Sequence, residues 1–171
     1  VVTGTLLLPN VKYPGGREVT RFQQLALERL EALPGVLSAS VSYSMPFFGL
    51  GEPRKYLVAG RETPEPGREP AAVINGISPH YFETVGTRAL NGRTFNEGDT
   101  LASPRVFIIN QAMARGLFGG ESPLGQRVAQ AGGKTIEWGE IVGVVGDVQS
   151  VFPDRIAVSY QLYQPMAQET R

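Results

Sequence analysis

The chain has 171 residues, with 16 basic and 16 acidic side chains, one histidine and no cysteine. A formal net charge of zero argues against a nucleic-acid-binding surface and against a polybasic membrane patch. The missing cysteines exclude thiolate zinc sites, iron–sulfur clusters, disulfides and a catalytic thiol within this chain.

The length fits one domain or two small intertwined subdomains, and 21 glycines and 13 prolines predict many turns between short elements. No apolar run approaches the ~20 residues that a membrane helix needs. The first residue is not methionine, which we interpret as a piece excised from a larger protein or a processed product.

The first 47 residues predict a strand, a helix and a second strand. Residues 1–8 are apolar and β-branched, which favours a strand. Residues 17–33 carry apolar side chains at three- and four-residue spacing and predict an amphipathic helix that ends at Pro34 and Gly35. Residues 36–45 alternate apolar residues with serine, as a strand does. This order predicts a parallel pair of strands joined by a right-handed crossover.

The middle of the chain predicts short strands over residues 54–59 and 71–77, separated by an exposed loop. Ser78 and Pro79 have the sequence of a helix start, with serine as the N-cap and proline in the first helical position. The short helix that follows, residues 80–85, is predicted to stop at Gly86. Residues 88–93 then lead into a turn over residues 95–99.

The C-terminal third predicts a buried strand over residues 105–109 and a helix over residues 111–118. Asn110 is the predicted N-cap of this helix, and Gly119 and Gly120 end it. Residues 125–130 and 135–148 predict strands around a Gly132-Gly133 hairpin, and residues 156–163 predict a final strand.

A search for catalytic chemistry finds no convincing motif. The glycine-rich stretch 143–147 lacks both nucleotide-binding patterns, and we interpret it as a bent or bulged strand. His80 would need a nucleophile and an orienting acid, and its neighbour Ser78 is already explained as a cap. Most glutamates lie in predicted loops or on a helix exterior, and the aspartates lack metal-binding spacing. The residues therefore make no case for an enzyme, a metal site or a cofactor.

One uncharged apolar segment, interrupted by glycine and proline, is less easily explained. It fits a buried crossing between subdomains, or an exposed loop that contacts a partner, a substrate or lipid. The candidate contact residues of this segment are Met45, Pro46, Phe47, Phe48 and Leu50.

The ordered series of motifs resembles the periplasmic core domain of MacB-like ABC transporter permeases, in the MacB/FtsX superfamily. It is similar in particular to the duplicated permeases of acidobacteria. The matching motifs are L-P-G-V at 33–36, S-P-x-Y-F-x-T-x-G at 78–86, G-R-x-F-x-x-x-D at 92–99, V-x-x-x-N-x-x-x-A-x-x-x-F at 106–118 and Y-x-P-x-x-Q at 163–168. Each motif is weak alone, but their order covers nearly the whole chain.

The resemblance implies an α+β fold, with a porter-like βαβ subdomain that carries an inserted mixed α/β subdomain. Residues 1–47 and 151–171 would form the porter part, and residues 48–150 the insert. Because family members continue beyond Y-x-P-x-x-Q, we expect a porter sheet truncated at its C-terminus, with an exposed or dimer-paired edge.

The resemblance also implies structural roles for a set of motif positions. Gly86 is a candidate helix cap, Gly143 and Gly146 would relieve crowding at a junction, and Arg93 would pair with a carboxylate or with carbonyls. The complete set is Tyr81, Phe82, Gly86, Gly92, Arg93, Phe95, Asp99, Asn110, Gly143, Gly146 and Asp147.

For function, the resemblance implies a non-catalytic domain on the periplasmic side of the inner membrane, part of a membrane-embedded permease. It would relay conformational change from membrane helices moved by a cytoplasmic ABC ATPase, with a possible periplasmic adaptor, a dimeric full transporter and no nucleic acid. Two other classes stay open from the residues: a peptide-, lipid- or lipoprotein-binding module, and an enzyme that uses His80 or a carboxylate pair.

Overall fold

A computed structural model describes residues 1–9, 11–13, 16–44, 53–62, 64–65, 68–132, 136–148, 150–151, 156–157 and 159–169. The elements in chain order are α1 (Arg17–Glu31), β1 (Arg54–Val58), β2 (Ala71–Ile77), α2 (Tyr81–Val85), β3 (Ala89–Gly92), β4 (Val106–Asn110), α3 (Gln111–Phe118), β5 (Arg127–Gln130), β6 (Gly139–Val145), β7 (Ser150–Val151), β8 (Ile156–Ala157), β9 (Gln161–Pro165) and a 3₁₀ turn, Met166–Gln168. The mixture of strands and few helices confirms the predicted α+β class.

Six strands close into a small barrel. The sheet runs β3-β6-β4-β9-β2-β1-β5, and β5 also pairs with β6, so β3 alone lies outside the ring. The pairs β4–β6 and β2–β9 are parallel, and the other pairs in the sheet are antiparallel. Closure gives each strand of the ring two neighbours, so that β3 is left as the edge strand of the described sheet.

Strand β4 is buried on both faces because it separates two hydrophobic clusters. Phe107 and Ile109 belong to the cluster inside the barrel. Val106 and Ile108 belong to the cluster between the sheet and α2. Since successive side chains of a strand point to opposite faces, a continuous apolar run is what this position requires.

A β-bulge in β6 brings β3 close to the barrel. Phe107 pairs with Ile141 and Ile108 with Gly143, so Val142 is the extra residue. A Cβ on Gly143 would overlap the carbonyl oxygen of Arg93. Gly92 has φ +69, and a Cβ there would overlap the carbonyl oxygen of Val142. Both positions therefore require glycine.

The two strands predicted in the N-terminal part are not formed. Residues 1–9 have no regular structure, and in residues 36–44 only Ser42 makes a bridge, to Ile77. The side chains of Val1, Val2, Leu6 and Leu7 are 70–100% exposed. β-Propensity is realised only where a partner strand supplies the ladder, and the described residues offer none beside 1–9.

Helix α1 is likewise left largely uncovered by the residues that the structure describes. No described side chain of the helix is buried, although its apolar stripe is present as predicted. Leu25 and Leu30, on that stripe, are 46% and 45% exposed. The helix starts at Arg17 as predicted and ends at Glu31, two residues early.

Most of the other predicted helix and strand boundaries agree closely with the structure, and two predictions for the last strand need correction. Helix α3 covers the predicted residues 111–118, and the predicted hairpin strands β5 and β6 do pair, at Arg127↔Glu140 and Val128↔Gly139. The predicted final strand 156–163 is split into β8 and β9. Strand β9 lies between β4 and β2, so it pairs with strands of the predicted insert. The proposed division into porter and insert stays a prediction.

The predicted N-cap of α2 is wrong. His80, with φ +62, occupies the N-cap position, and no side chain caps the helix. The Ser78 hydroxyl instead accepts a hydrogen bond from the backbone N–H of Val41 at 2.9 Å. A bond to a residue 37 positions away has displaced the local cap that the sequence predicted.

Candidate functional site

The N-terminal arm, defined here as residues 16–44, is joined to the barrel along the second half of β2. Ser42 forms an antiparallel bridge with Ile77. The N–H of Tyr43 donates to the carbonyl of Gly76 at 3.0 Å, and the N–H of Ser78 donates to the carbonyl of Val41 at 2.9 Å. The arm thus continues the sheet beside β2 for a few residues. We call this contact the junction.

Polar side chains reinforce the junction. The Ser78 hydroxyl and the Asn75 Oδ1, both buried, accept from the N–H groups of Val41 at 2.9 Å and Ser44 at 3.1 Å. The hydroxyls of Ser38 and Thr84 lie 2.7 Å apart, which ties the arm to α2 as well. Buried backbone groups are costly to leave unpaired, so these side chains fix the path of the arm.

Gly76 allows the arm to approach β2 closely. A Cβ at this position would overlap the ring of Tyr43. Only glycine leaves room for an aromatic ring directly over the strand backbone.

A buried cluster rich in aromatic side chains includes Ile77, the β2 residue at the junction. Tyr81 and Phe82 from α2 pack on Tyr163 from β9, with ring centroids 6.2 and 4.9 Å from the Tyr163 ring, and Phe95 belongs to the same buried cluster. Burial raises the pKa of Tyr81 to about 12, and burial also raises the pKa of Tyr163. Gly86 ends α2 with φ +73.

Arg93 and Asp99 form a paired clamp on the loop between β3 and β4. The guanidinium donates to both Asp99 carboxylate oxygens at 2.8 Å, and it also donates to the Thr94 carbonyl at 3.1 Å. The Asn96 N–H donates to Asp99 at 2.9 Å. The hydrogen bonds from Arg93 hold the pKa of the Asp99 carboxyl below its usual value. The clamp therefore closes the turn by charge as well as by hydrogen bonding.

Asn110 and Asp147 tie the carboxyl ends of β4 and β6 to the start of α3. Asn110 Oδ1 accepts from the N–H of Met113 at 3.1 Å, which is the predicted N-cap, and from the N–H of Gln161 at 3.0 Å. Asp147 Oδ1 accepts from Asn110 Nδ2 at 2.9 Å and from the Ala112 N–H at 2.7 Å. The negative carboxylate also complements the positive end of the helix.

Gln168 is a structural residue to which the sequence analysis gave no role. Its Oε1 accepts from the Val106 N–H at 3.0 Å, and its Nε2 donates to the Pro104 carbonyl at 2.9 Å and the Ser103 hydroxyl at 3.0 Å. It fastens the chain after β9 to the loop before β4. The sequence feature that could have indicated this role is the position of Gln168 in the Y-x-P-x-x-Q motif.

The other positions singled out from the sequence form no catalytic or metal-binding arrangement within the described residues. His80 is exposed, and its Nδ1 lies 3.4 Å from the Glu83 carboxylate, whereas the Ser78 hydroxyl is engaged in the junction. Gly146 donates its N–H to the Arg88 carbonyl at 2.9 Å. No three His, Asp or Glu side chains of the described residues come together as metal ligands. The predicted contact residues Met45, Pro46, Phe47, Phe48 and Leu50 lie outside the described residues.

Comparisons with known proteins begin at the level of the family. Residues 4–171 match the MacB-like periplasmic core domain. Over the described part of the chain, no helix is long and apolar enough to cross a membrane.

Two curated proteins are similar in sequence over just over half of this chain. An uncharacterized ABC transporter permease, YknZ, from Bacillus subtilis (strain 168) is 36% identical over 98 residues, which are 57% of this chain and 24% of that protein. The macrolide export ATP-binding/permease protein MacB from Aggregatibacter actinomycetemcomitans is 30% identical over 100 residues, 56% of this chain and 14% of that protein. The matched part is thus a quarter or less of these relatives.

Solved structures share the fold at low sequence identity. The periplasmic region of MacB from Actinobacillus actinomycetemcomitans superposes with a TM-score of 0.58 and 20% identity, covering 85% of this chain and 56% of that one. The extracellular domain of the noncanonic ABC-type transporter YknZ from Gram-positive bacteria gives 0.52 and 24%, covering 85% and 63%. The fold, the motifs and the family match over residues 4–171 agree, and the chain belongs to the MacB-like periplasmic core domain family.

Proposed function

We propose that this chain is the extracytoplasmic, non-catalytic domain of an ABC transporter permease, and that it relays movement of the membrane helices to a partner or substrate outside the membrane. The family assignment supports the location and the class. The relay proposal rests mainly on the junction, which joins the arm to the barrel. A relay needs parts that move together, because a loose joint would absorb the displacement.

The junction has the features expected of a stiff joint. Three backbone N–H groups of the arm, from Val41, Tyr43 and Ser44, are bonded to β2 or to Ser78 just after it. The Ser38–Thr84 contact adds a second point of attachment. Two separate points prevent rotation about either one, so we expect the arm and the barrel to move as one body.

The partners follow from this proposal. The energy would come from a cytoplasmic ABC ATPase that acts through the membrane helices of the complete permease, which we expect to be a dimer. A periplasmic adaptor is a further expected partner. The segment of Met45, Pro46, Phe47, Phe48 and Leu50 follows the junction directly in sequence, which favours it as the surface that contacts an adaptor or substrate. The acidobacterial subtype stays a prediction.

A disulfide across the junction tests the relay. The Ser38 and Thr84 hydroxyls lie 2.7 Å apart, which makes Ser38→Cys/Thr84→Cys the cross-link to attempt, and this chain contains no cysteine of its own. The complete permease would be placed in nanodiscs with its ATPase, and ATP hydrolysis measured before and after oxidation. If the arm and barrel move together, oxidation leaves hydrolysis within about 20% of the reduced protein, since the cross-link restrains no motion that the cycle uses.

The two single-cysteine variants are the matched controls for oxidation damage. Strong inhibition of the double variant alone would show that the arm swings relative to the barrel, which contradicts the relay. Failure of the permease to associate with any ABC ATPase would contradict the assignment to a transporter itself.

A further inference from the structure

Helix α3 covers one end of the barrel, and a cavity lies at the other end. Helix α3 follows directly from the carboxyl end of β4, and its Met113 and Phe118 enter the inner cluster. The opposite end, where β4 and β6 begin, holds a cavity of about 190 Å³. We call this cavity the mouth.

The mouth has an apolar floor and a charged rim. Ile74, Phe107 and Leu162 form the floor, and Arg105 and Glu137 are on the rim together with two glutamine amides. Buried apolar side chains below convergent polar groups, at the mouth of a barrel, are features that this cavity shares with small-molecule sites. A cavity of ~150 Å³ accepts a benzene ring, so this one has room for a ring or a branched aliphatic group.

The rim presents a guanidinium that is already occupied by a carboxylate. Arg105 and Glu137 are joined by an ion pair of 2.6 Å, and their side chains are 27% and 61% exposed. Arg105 also donates a long hydrogen bond, of 3.5 Å, to the Gln168 carbonyl, which gives the guanidinium a second contact within the protein. The more exposed Glu137 is the partner that can leave, because water compensates its carboxylate at little cost.

Gly139 keeps the wall of the mouth in place. A Cβ at this position would lie 2.5 Å from the Phe107 ring and 2.9 Å from Arg105 Cγ. The glycine therefore lets the ring and the arginine stem lie against β6. One residue sets the position of both the floor and the charged group.

We propose that the mouth binds a small apolar carboxylate, with its aromatic or branched aliphatic group on the floor and its carboxylate on Arg105 in place of Glu137. A bidentate guanidinium–carboxylate pair fixes the orientation, and the floor supplies the apolar contact. Two sources share this chemistry: a free aryl or branched-chain acid, and the C-terminal carboxylate of a peptide that ends in Phe or Leu.

The first test is an NMR titration of the ¹⁵N-labelled chain with phenylacetate. Phenylacetate should shift the amide signals of the floor residues, and the neutral isostere phenylacetamide should bind at least ten-fold more weakly. Arg105→Gln should abolish the shifts, whereas Arg68→Gln, an exposed arginine paired with Glu65, is the matched control and should leave them unchanged.

Glu137→Gln keeps the proposal falsifiable if the arginine variant fails to fold. Removing the competing carboxylate should tighten phenylacetate binding about two- to five-fold, the range of an exposed ion pair. Weaker binding by Glu137→Gln, or equal binding of phenylacetate and phenylacetamide, would overturn the proposal.

Peptide ligands distinguish the two sources. An acetylated peptide that ends in Leu-Phe would be compared with the same peptide carrying a C-terminal amide. Tighter binding of the free-acid peptide than of phenylacetate supports a peptide terminus, and binding of phenylacetate alone supports a free acid. No shift at the floor with either ligand at 10 mM, a concentration above the roughly millimolar affinity expected of such small ligands, overturns the site.

Discussion

Replacing Asp99 with asparagine should destabilise the domain and change how its stability depends on pH. The carboxylate is 6% exposed and accepts two bonds from Arg93 at 2.8 Å and one from the Asn96 N–H at 2.9 Å. Removing one partner of a fully buried pair costs about 3–5 kcal/mol. Because Arg93 is 43% exposed and can be hydrated again, we expect a loss of about 2 kcal/mol for Asp99→Asn. In a domain of this size, that lowers Tm by about 4–8 °C.

The dependence of stability on pH follows from the direction in which folding shifts the pKa of Asp99. The hydrogen bonds from Arg93 lower the pKa of Asp99 in the folded state, so its contribution is fully present above the unfolded value of about 3.9. The contribution is lost as pH falls through the lower folded pKa. The difference in Tm between wild type and Asp99→Asn should therefore be constant from pH 7 to pH 5 and should narrow progressively once pH falls below about 4.

Glu97→Gln is the matched control for this experiment, since Glu97 is an exposed carboxylate two residues away. It should leave Tm unchanged at every pH. Equal Tm values for wild type and Asp99→Asn at pH 7, or a gap of the same size at pH 7 and at pH 2, would refute the reasoning.

Three further changes test other parts of the structure. Ser78→Ala removes the acceptor of the Val41 N–H, so it should cost about 1–2 kcal/mol in chemical denaturation and speed hydrogen exchange of that amide; an unchanged exchange rate would contradict the junction. Gly116→Ala should destabilise the domain, since the added Cβ would overlap the Tyr160 hydroxyl. In a Tyr160→Ala background, the same change should instead stabilise α3 by up to about 1 kcal/mol. An effect of the same sign in both backgrounds would contradict the contact. Tyr81 has its pKa raised to about 12, so stability should fall as pH rises from 10 to 12, and Tyr81→Phe should flatten that fall in urea denaturation; identical slopes would argue against its burial.

Features with local causes were predictable from the sequence. The span of α3 and its Asn110 cap follow from residues within four positions of each other, and both are present as predicted. The continuous apolar run of β4 indicated burial, and the strand is buried along its whole length. Arg93 was expected to pair with a carboxylate or with carbonyls, and its carboxylate partner, Asp99, is six residues away in the same motif.

Features that depend on distant partners were not predictable. Residues 1–8 have strand composition but no neighbouring strand, so composition alone gave the wrong structure. Ser78 has the sequence of an N-cap, yet the Val41 N–H takes its hydroxyl. The pairing of β1 with β5, which completes the ring together with the predicted β5–β6 hairpin, depends on the register between strands far apart in the chain, as does the position of β9 between β4 and β2. The mouth exists only because of that closure, and no local motif marks it.

A distance measurement by double electron–electron resonance tests most directly whether the arm and barrel act as one relaying body. Spin labels would be placed on cysteines at two exposed positions, Arg21 on α1 and Glu121 just after α3, in the complete permease with its ATPase and without other reactive cysteines. Dilution with unlabelled permease restricts the signal to one copy, and a second sample labelled only at position 121 reports the distance between copies. We predict that ATP changes the distance between copies and leaves the distance between positions 21 and 121 unaltered. A shift of the distance between 21 and 121 on ATP binding would contradict the account.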